Sequence, residues 1–236
     1  MVVGLGPGQR EYITPQAMAA LQEAQVIIGY KTYLAFIRDL LPDKEVISSG
    51  MRKEIDRARA ALEIALSGRV AAVVSSGDPG VYGMAGIVLE IAGDAVPVEV
   101  IPGVTAATSA AAILGAPLMH DFAVISLSDL LTPWETIEKR LTVSAIGDFV
   151  IVLYNPRSQG RKQQIEMARS ILLQHKDAKT PVGIVQNAKR QGESMVITTL
   201  QDMLQEEINM QTTVFIGNSQ TRVQNGRMLT PRGYTL

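Results

Sequence analysis

The sequence contains no cysteine and only two histidines, His120 and His175, among its 236 residues. Without cysteine there can be no disulfide, no thiolate catalysis and no cysteine-ligated metal. Two histidines so far apart do not indicate a histidine-rich site, so no metal site is predicted. Charged residues make up 19% of the chain and the formal net charge is −1, a balance that does not predict nucleic-acid binding.

Long hydrophobic runs are also absent, since none reaches the roughly 18–20 residues that a membrane-spanning helix needs. The chain opens directly into Val2 and Val3, with no basic segment or cleavage site of a signal peptide. Hydrophobic residues nevertheless make up 47% of the chain, which suits a globular core. We therefore expect a cytoplasmic protein that does not associate with membranes.

Short β-rich runs alternate with helical patterns along the chain, which is typical of the α/β fold class. The run at 115–117 (GAP) interrupts an alanine-rich helix that begins near Thr105. We therefore predict two α/β domains, residues 1–118 and residues 119–236.

Local signals locate several of the elements. Thr14 followed by proline predicts the start of a helix that continues to about residue 24. A helix over 52–67 is expected to turn Ile55, Leu62 and Leu66 inward, and another is expected over 161–175. The pair at 225–226 (NG) predicts a β-hairpin turn.

Two glycine-rich loops follow predicted strands in the first half. The loop 4–8 (GLGPG) does not have its third glycine at the spacing that a dinucleotide fingerprint requires, and its proline removes a backbone donor. It is either a tight strand exit or, given its extra glycine, a place where a bulky ligand approaches the backbone. The loop 76–83 (SGDPGVYG) contains Asp78, which either binds hydroxyl or ammonium groups of a ligand or caps its own turn.

Two further loops follow strands at 98–101 and 149–153. The first, 102–106 (PGVTA), combines a small-residue helix start with free backbone N–H groups, and it indicates either ligand binding or close helix packing. The second, 154–158 (YNPRS), contains Arg157 and is followed by Arg161 and Lys162. Together these residues would bring three positive charges to one helix entrance. Such a cluster suits carboxylates, although a solvated helix face has the same composition.

Taken in this order, the loops 4–8, 77–79 and 102–106 resemble those of the tetrapyrrole methyltransferases, and the resemblance extends over essentially the whole chain. Several segments look like the branch that methylates C17 of precorrin-3B or cobalt-factor III. They are GYKTY at 29–33, SSGDPGVYGM at 75–84, HDF at 120–122, ISLSDLLTPW at 125–134 and YNPRS at 154–158. The last discriminates best, because sister enzymes have other residues after that strand.

The resemblance implies a homodimer of two-domain α/β protomers that bind S-adenosylmethionine in a cleft between the domains and release S-adenosylhomocysteine. Backbone groups contribute much of such a pocket, which explains why small residues are frequent among the expected contacts. The implied cofactor contacts are Pro7, Gly77, Asp78, Val81, Thr105, Ala106, Ser128, Tyr154, Asn155, Ala188 and Thr213.

The implied substrate is a polycarboxylate tetrapyrrole, so a cleft lined by cations is expected. The cations near strand-exit loops or helix starts are Arg10, Lys31, Arg52, Lys53, Arg157 and Arg161. The branch also contracts the macrocycle, which requires proton movement, and Asp121, His120 and Tyr30 are the candidates. A structural role for the adjacent histidine and aspartate remains an alternative.

Two other functions remain open from the residues. One is a sister methyltransferase that acts at another ring carbon or on a non-porphyrin acceptor. The other is a non-catalytic regulatory module that keeps its glycine loops in order to sense S-adenosylmethionine.

Overall fold

The structure is a computed structural model that describes residues 1–235. The chain divides into two compact units, Met1–Ala106 (unit 1) and Ala107–Leu236 (unit 2). None of the helices described is both long and apolar enough to cross a membrane.

Unit 1 alternates strands and helices, as the sequence predicts, with short 3-10 turns at Arg10–Tyr12 and Arg38–Leu40. Its elements are β1 (Val2–Gly4), α1 (Pro15–Glu23), β2 (Val26–Tyr30), α2 (Lys31–Phe36), β3 (Glu45–Ser49), α3 (Glu54–Leu66), β4 (Ala71–Ser75), α4 (Ala85–Ala92) and β5 (Val100–Ile101).

The five strands of unit 1 form one parallel sheet in the order β3-β2-β4-β1-β5. Successive side chains of each strand point to opposite faces, and both faces are buried. Val3 and Ile27 pack with the residues of α1 and α2 on one face. Val2 and Ile28 pack with those of α3 and α4 on the other. Burial on both faces accounts for the continuous apolar runs of these strands.

In unit 1 the sequence predicts the start of helix α1 correctly, but it does not predict which face of helix α3 is buried. Thr14 caps α1, because its Oγ1 accepts a hydrogen bond from the Ala17 backbone N–H at 3.1 Å. The predicted inward face of α3 is wrong, since Ile55 is 50% and Leu66 is 61% exposed. Arg57, Ala58 and Ala61 are buried instead. Ala58 and Ala61, which lie one turn apart, pack with Ile28 and Val73 of the sheet.

Unit 2 begins with a helix and contains eight strands, with a 3-10 turn at Met203–Gln205. Its elements are α5 (Ala106–Leu114), β6 (Gly115–Ala116), β7 (Phe122–Ser126), α6 (Trp134–Ile146), β8 (Val150–Tyr154), α7 (Gln164–Leu172), β9 (Pro181–Gln186), β10 (Ser194–Thr199), β11 (Thr212–Ile216), β12 (Arg222–Gln224) and β13 (Arg227–Leu229).

The main sheet of unit 2 is mixed, in the order β10-β9-β11-β8-β7. Strands β7 and β8 are parallel, whereas β11 runs antiparallel to both β8 and β9. One face packs against α6 and α7. On the other face Val152, Val185 and Phe215 contact α5 through Ala110 and Leu114.

The position of α5 decides where the units divide. Because α5 covers one face of the second sheet, the division falls after Ala106. The run at 115–117, from which the sequence predicts a boundary after residue 118, instead contains β6, which pairs in parallel with β13. The predicted hairpin is confirmed: β12 and β13 are antiparallel, and Asn225 and Gly226 have φ values of 51° and 70°. Both residues have positive φ, as a type I′ turn requires.

Candidate functional site

The carboxyl ends of all five strands lie at one edge of the sheet of unit 1, because the strands are parallel. Loops at this edge are where open α/β sheets bind ligands. The edge collects the predicted cofactor contacts of unit 1: Pro7, Gly77, Asp78, Val81, Thr105 and Ala106. It also collects four exposed cations, Arg10, Lys31, Arg52 and Lys53.

The glycines of this edge allow three loops to pack against one another. A Cβ on Gly103 would lie 2.2 Å from the Gly77 carbonyl oxygen, and one on Gly4 would lie 2.7 Å from the Gly103 backbone nitrogen. Gly6 and Gly77 exchange backbone hydrogen bonds of 3.1 and 2.7 Å. The close approach that the extra glycine predicts is therefore a contact between loops, and the glycines at 4, 6 and 103 need no ligand to explain them.

Asp78 ties two of these loops together. Its Oδ1 accepts a hydrogen bond from the Gly80 backbone N–H at 2.8 Å, which caps its own turn. Its Oδ2 accepts one from the Gly103 backbone N–H at 3.0 Å. The capping role that the sequence suggests is thus present, and it extends to the next loop. A carboxylate offers about four acceptor positions, so Asp78 keeps the capacity to bind a ligand donor.

A corresponding edge exists in unit 2. The carboxyl ends of β7, β8 and β9 meet the amino end of β11 there, since β11 runs antiparallel to β8 and β9. This edge collects the predicted cofactor contacts of unit 2: Ser128, Tyr154, Asn155, Ala188 and Thr213. Sequence-distant residues are brought together here by strand direction alone.

Hydrogen bonds hold this second edge in one arrangement. Asn155, whose φ of 51° is left-handed, donates from Nδ2 to Ser126 Oγ at 2.9 Å. The Ser128 backbone N–H donates to the same hydroxyl at 3.2 Å. The Tyr154 hydroxyl accepts a hydrogen bond of 2.6 Å from the Ala107 backbone N–H in the first turn of α5. Tyr154 thereby satisfies a helix-terminal donor in addition to any contact with a ligand.

The predicted cluster of three cations at one helix entrance is wrong in its geometry. Helix α7 begins at Gln164, later than expected, so Arg161 and Lys162 lie in the preceding loop. The Arg157 guanidinium pairs with Glu166 at 3.1 Å. Arg161 is only 6% exposed, whereas Lys162 faces solvent. The three side chains therefore do not present a joint positive surface.

The three candidates for proton transfer lie in different places. Tyr30 ends β2 at the loop edge of unit 1, and its ring packs edge-on against Tyr33 with centroids 5.2 Å apart. His120 and Asp121 are exposed and precede β7, at the end of the strand opposite to Ser128 and Asn155. His120 Nδ1 accepts a hydrogen bond of 3.0 Å from the Asp121 backbone N–H. This contact within the loop matches the structural alternative for the pair.

Sequence reasoning missed Arg57, which holds the loop after β3. Its Nη1 donates to Ser49 Oγ at 2.8 Å and to the Gly50 carbonyl at 2.9 Å, and its Nη2 pairs with Glu54 at 3.1 Å. Arg52 and Lys53 belong to that loop. The only sequence signal for this role is the position of Arg57 next to Ala58 on the face that α3 buries.

Shifted pKa values lie away from both edges. Burial lowers the pKa of Lys176, against the opposing effect of Asp148. Burial alone would raise the pKa of Asp148, but hydrogen bonds from Ser219 and the charge of Lys176 outweigh it and lower that pKa. Both groups lie near the start of β8, opposite to Tyr154. Within residues 1–235, no group of three or more His, Asp or Glu side chains could hold a metal ion.

Comparison with known proteins identifies the family. The family model for Tetrapyrrole (Corrin/Porphyrin) Methylases matches residues 1–204. The chain belongs to the tetrapyrrole methylase family. This confirms the resemblance drawn from the glycine-rich loops, and the two units have the α/β architecture of the tetrapyrrole methylase fold.

Relatives of this tetrapyrrole methylase are similar over its full length. A Salmonella typhimurium protein named "Probable cobalt-factor III C(17)-methyltransferase" is 51% identical over 100% of this chain and 99% of its own length. A Priestia megaterium "Cobalt-factor III methyltransferase" is also 51% identical, but this chain spans only 45% of that longer protein.

Solved structures match the fold as well. The crystal structure of the methyltransferase CobJ has a TM-score of 0.93 and 39% identity, covering 98% of both chains. Uroporphyrin-III C-methyltransferase of Thermus thermophilus, complexed with S-adenosylhomocysteine, has a TM-score of 0.68 and 26% identity, covering 92% of this chain and 95% of that one. Tetrapyrrole methylases use S-adenosylmethionine.

The residues of this chain fit that cofactor by their chemistry. Beside Gly77, an added Cβ would be in ordinary van der Waals contact with Thr105 Cα at 3.7 Å, whereas at Gly4 and Gly103 it would overlap backbone atoms. The backbone of Val104, Thr105 and Ala106 therefore lies directly beside Gly77. At the edge of unit 2, Ser128, Asn155 and Thr213 carry hydroxyl and amide groups, which can bind hydroxyl, amine and carboxylate groups.

Proposed function

We propose that this chain is an S-adenosylmethionine-dependent methyltransferase of cobalamin biosynthesis that methylates C17 of cobalt-factor III or precorrin-3B, with associated ring contraction. The observation that carries the proposal is the 51% identity, over the whole chain, with a relative named for this activity. A Methanocaldococcus jannaschii protein named for the same ring position is 46% identical over 99% of this chain, which favours C17 over other ring carbons.

For the cofactor, we propose contacts with S-adenosylmethionine from the residues at the two loop edges described above. Asp78 supplies acceptor positions, and the backbone of Gly77, Thr105 and Ala106 supplies further polar groups beside small side chains. The Ser128 hydroxyl accepts a hydrogen bond from Arg161 and the Asn155 amide donates one to Ser126, so both groups are already held by neighbours. The remaining proposed contacts are Pro7, Val81, Tyr154, Ala188 and Thr213.

The chemistry that bound S-adenosylmethionine supplies is an electrophilic methyl group on a sulfonium, so the chain itself needs no covalent nucleophile. The work left to its residues is positioning, because methyl transfer requires the acceptor carbon in line at about 3–3.5 Å. A site built on strand ends and cross-linked loops suits that requirement. The lack of cysteine agrees with it.

For the substrate carboxylates, we propose the exposed cations of the loop edge in unit 1, Arg10, Lys31, Arg52 and Lys53, together with Arg157 in unit 2. Lys53 already pairs with Asp56 at 3.1 Å, but both side chains are 59% exposed and the pair can exchange partners at little cost. Arg157 is 37% exposed beside Glu166. Its planar guanidinium matches a carboxylate.

For the proton movement of ring contraction, Tyr30 fits better than His120 and Asp121. Tyr30 lies at the edge where the cations and glycine loops gather, whereas the other two lie at the edge opposite to Ser128. We expect Tyr30→Phe to retain methyl transfer and to slow ring contraction. His120→Ala and Asp121→Asn should change neither rate by more than about threefold if their role is structural.

The decisive experiment is incubation of the protein with labelled S-adenosylmethionine and either precorrin-3B or cobalt-factor III. Label in the macrocycle, located at C17 by NMR, is the expected result, and the faster precursor identifies the natural substrate. Label at another ring carbon would replace the proposal with a sister activity. Sedimentation of the same preparation tests the homodimer that we also propose.

The regulatory module predicts a different outcome of that experiment. A sensor would bind S-adenosylmethionine tightly by calorimetry and would transfer no label to any tetrapyrrole. The gathered cations of the unit 1 edge favour the enzyme, because a sensor of S-adenosylmethionine alone has no need for them.

A further inference from the structure

Arg161 is an arginine that the fold buries almost completely. It closes a tight turn after β8, in which the Ser158 N–H donates to the Arg161 carbonyl at 2.8 Å and the Arg161 N–H donates back at 3.2 Å. The residue is 6% exposed. A guanidinium remains charged at any physiological pH, so this burial places a positive charge inside unit 2.

No carboxylate of the described chain lies within 4.0 Å of the Arg161 guanidinium nitrogens. Each ion pair within residues 1–235 involves other side chains, and the Nε of Arg161 is buried without a hydrogen-bond partner. Burying an unpaired charge is costly, so the remaining contacts of the guanidinium must hold it firmly in place. These contacts lie at the predicted cofactor edge of unit 2.

The two terminal nitrogens of Arg161 join the loops that follow β7 and β8. Nη1 donates to Ser128 Oγ at 3.2 Å, and Nη2 donates to the Asn155 carbonyl at 3.0 Å. Nη2 also lies 3.6 Å from the sulfur of Met210. Since Ser126 Oγ accepts from both Asn155 Nδ2 and the Ser128 N–H, these four residues form a closed ring of hydrogen bonds.

We propose that Arg161 is a positioning residue that fixes Ser128 and Asn155 relative to each other for cofactor binding, and that it does not bind substrate carboxylates. Each of its terminal nitrogens donates a hydrogen bond within the ring, and its small exposed fraction leaves little surface for a polyacid. Arg157, which is more exposed, is the better carboxylate ligand. The inference rests on the proposed function for the identity of the cofactor.

The test is calorimetric binding of S-adenosylhomocysteine to the full chain and to variants of it. Arg161→Met should weaken binding by at least about tenfold. Arg161→Lys should weaken it nearly as much, because a single ammonium is not matched to two acceptors in fixed directions. Full affinity in the lysine variant would mean that charge alone matters, and it would overturn the proposal.

Arg169→Met is the matched control. The side chain of Arg169, on α7, donates to the carbonyls of Leu200 and Gln201, so its removal likewise costs two hydrogen bonds from an arginine side chain in unit 2. We expect lower stability toward urea but unchanged affinity for S-adenosylhomocysteine. Equal losses of affinity in Arg169→Met and Arg161→Met would mean that Arg161 affects binding only through the stability of unit 2. That result would contradict the proposal.

Ser128→Ala removes one bond of the ring from the other side and allows a double-mutant cycle. If the two residues act as one unit, the double variant should bind within about threefold of Arg161→Met alone. If instead the two losses multiply, the ring does not act as a unit and the proposal fails. Should Arg161→Met not fold, the same cycle is made with Arg161→Lys.

The binding readout separates this inference from the proposed function. A wild-type chain that binds S-adenosylhomocysteine but methylates no tetrapyrrole would refute the proposed function and leave the role of Arg161 open to the same comparison of variants. Conversely, an active wild type whose Arg161→Met variant keeps full affinity would refute only the inference.

In active variants, the KM for the tetrapyrrole should rise for Arg157→Ala and stay within about threefold for Arg161→Lys.

Discussion

Substitution of Gly103 by alanine tests whether the three loops of unit 1 hold one another in place. An added Cβ would lie 2.2 Å from the Gly77 carbonyl oxygen and 2.9 Å from Gly4 Cα. Neither neighbour is a flexible side-chain end, since Gly77 is fixed by reciprocal hydrogen bonds to Gly6. Relief of the overlap requires the backbones to separate by about 1 Å, because non-bonded heavy atoms prefer separations above about 3 Å.

The expected cost follows from those contacts. Overpacking a close-packed site costs about 1–3 kcal/mol. Separation of the loops also weakens the hydrogen bond from the Gly103 N–H to Asp78, and bonds to charged groups contribute about 1.5–3 kcal/mol. Because the two losses overlap, we expect the free energy of unfolding of unit 1 to fall by about 2–4 kcal/mol. The affinity for S-adenosylhomocysteine should fall more than about tenfold, since the same loops carry the proposed contacts.

Urea unfolding and calorimetry measure the two effects. The single tryptophan, Trp134, lies in unit 2, so its fluorescence serves as an internal control while far-UV circular dichroism reports both units. Gly86→Ala is the matched variant, because nothing lies within 4 Å of its added Cβ in α4. It should stabilise unit 1 by about 0.5–1 kcal/mol. A Gly103→Ala variant as stable and as tightly binding as Gly86→Ala would refute the packed-loop argument.

Three further predictions follow from other contacts. Arg157→Ala should weaken tetrapyrrole binding much more than S-adenosylmethionine binding, and equal losses in parallel titrations would contradict its role. Arg57→Met should raise the KM for the tetrapyrrole severalfold with little change for the cofactor, because it frees the loop of Arg52 and Lys53. Asp148 has its pKa lowered below its ordinary 3.8 in the folded state, so its contribution to stability is present above that value and is lost as the pH falls through the lower folded pKa. Asp148→Asn, which tolerates the φ of 55°, should flatten the acid limb of stability against pH, and an unchanged limb in urea titrations would refute this.

The sequence predicts those features of the fold that depend on local chemistry. Thr14 and Pro15 give the start of α1 because a side-chain oxygen and a fixed φ act within one turn. Asn225 and Gly226 give the hairpin because few residues tolerate two positive φ values in succession. The strands of unit 1 can also be predicted from the sequence, because strands that are buried on both faces consist of continuous apolar runs.

Features that depend on distant contacts were not predicted. The buried face of α3 is set by how closely Ala58 and Ala61 can approach the sheet, and helical periodicity alone favoured Ile55. The boundary between the units depends on which sheet α5 covers. Arg161 resembled a surface cation because nothing near it in sequence indicates that Ser128 would lie beside it in space.

The pairing of β6 with β13 has a consequence for how the chain is made. It joins Gly115 and Ala116 to Met228 and Leu229, and the Met228 side chain is fully buried beside α5. Unit 1 has all of its strands once residue 106 has left the ribosome, so it can fold during translation. The contact of Met228 with α5 forms only when the last strand has been made, and a chain cut before Met228 is expected to expose apolar surface of α5 that favours self-association.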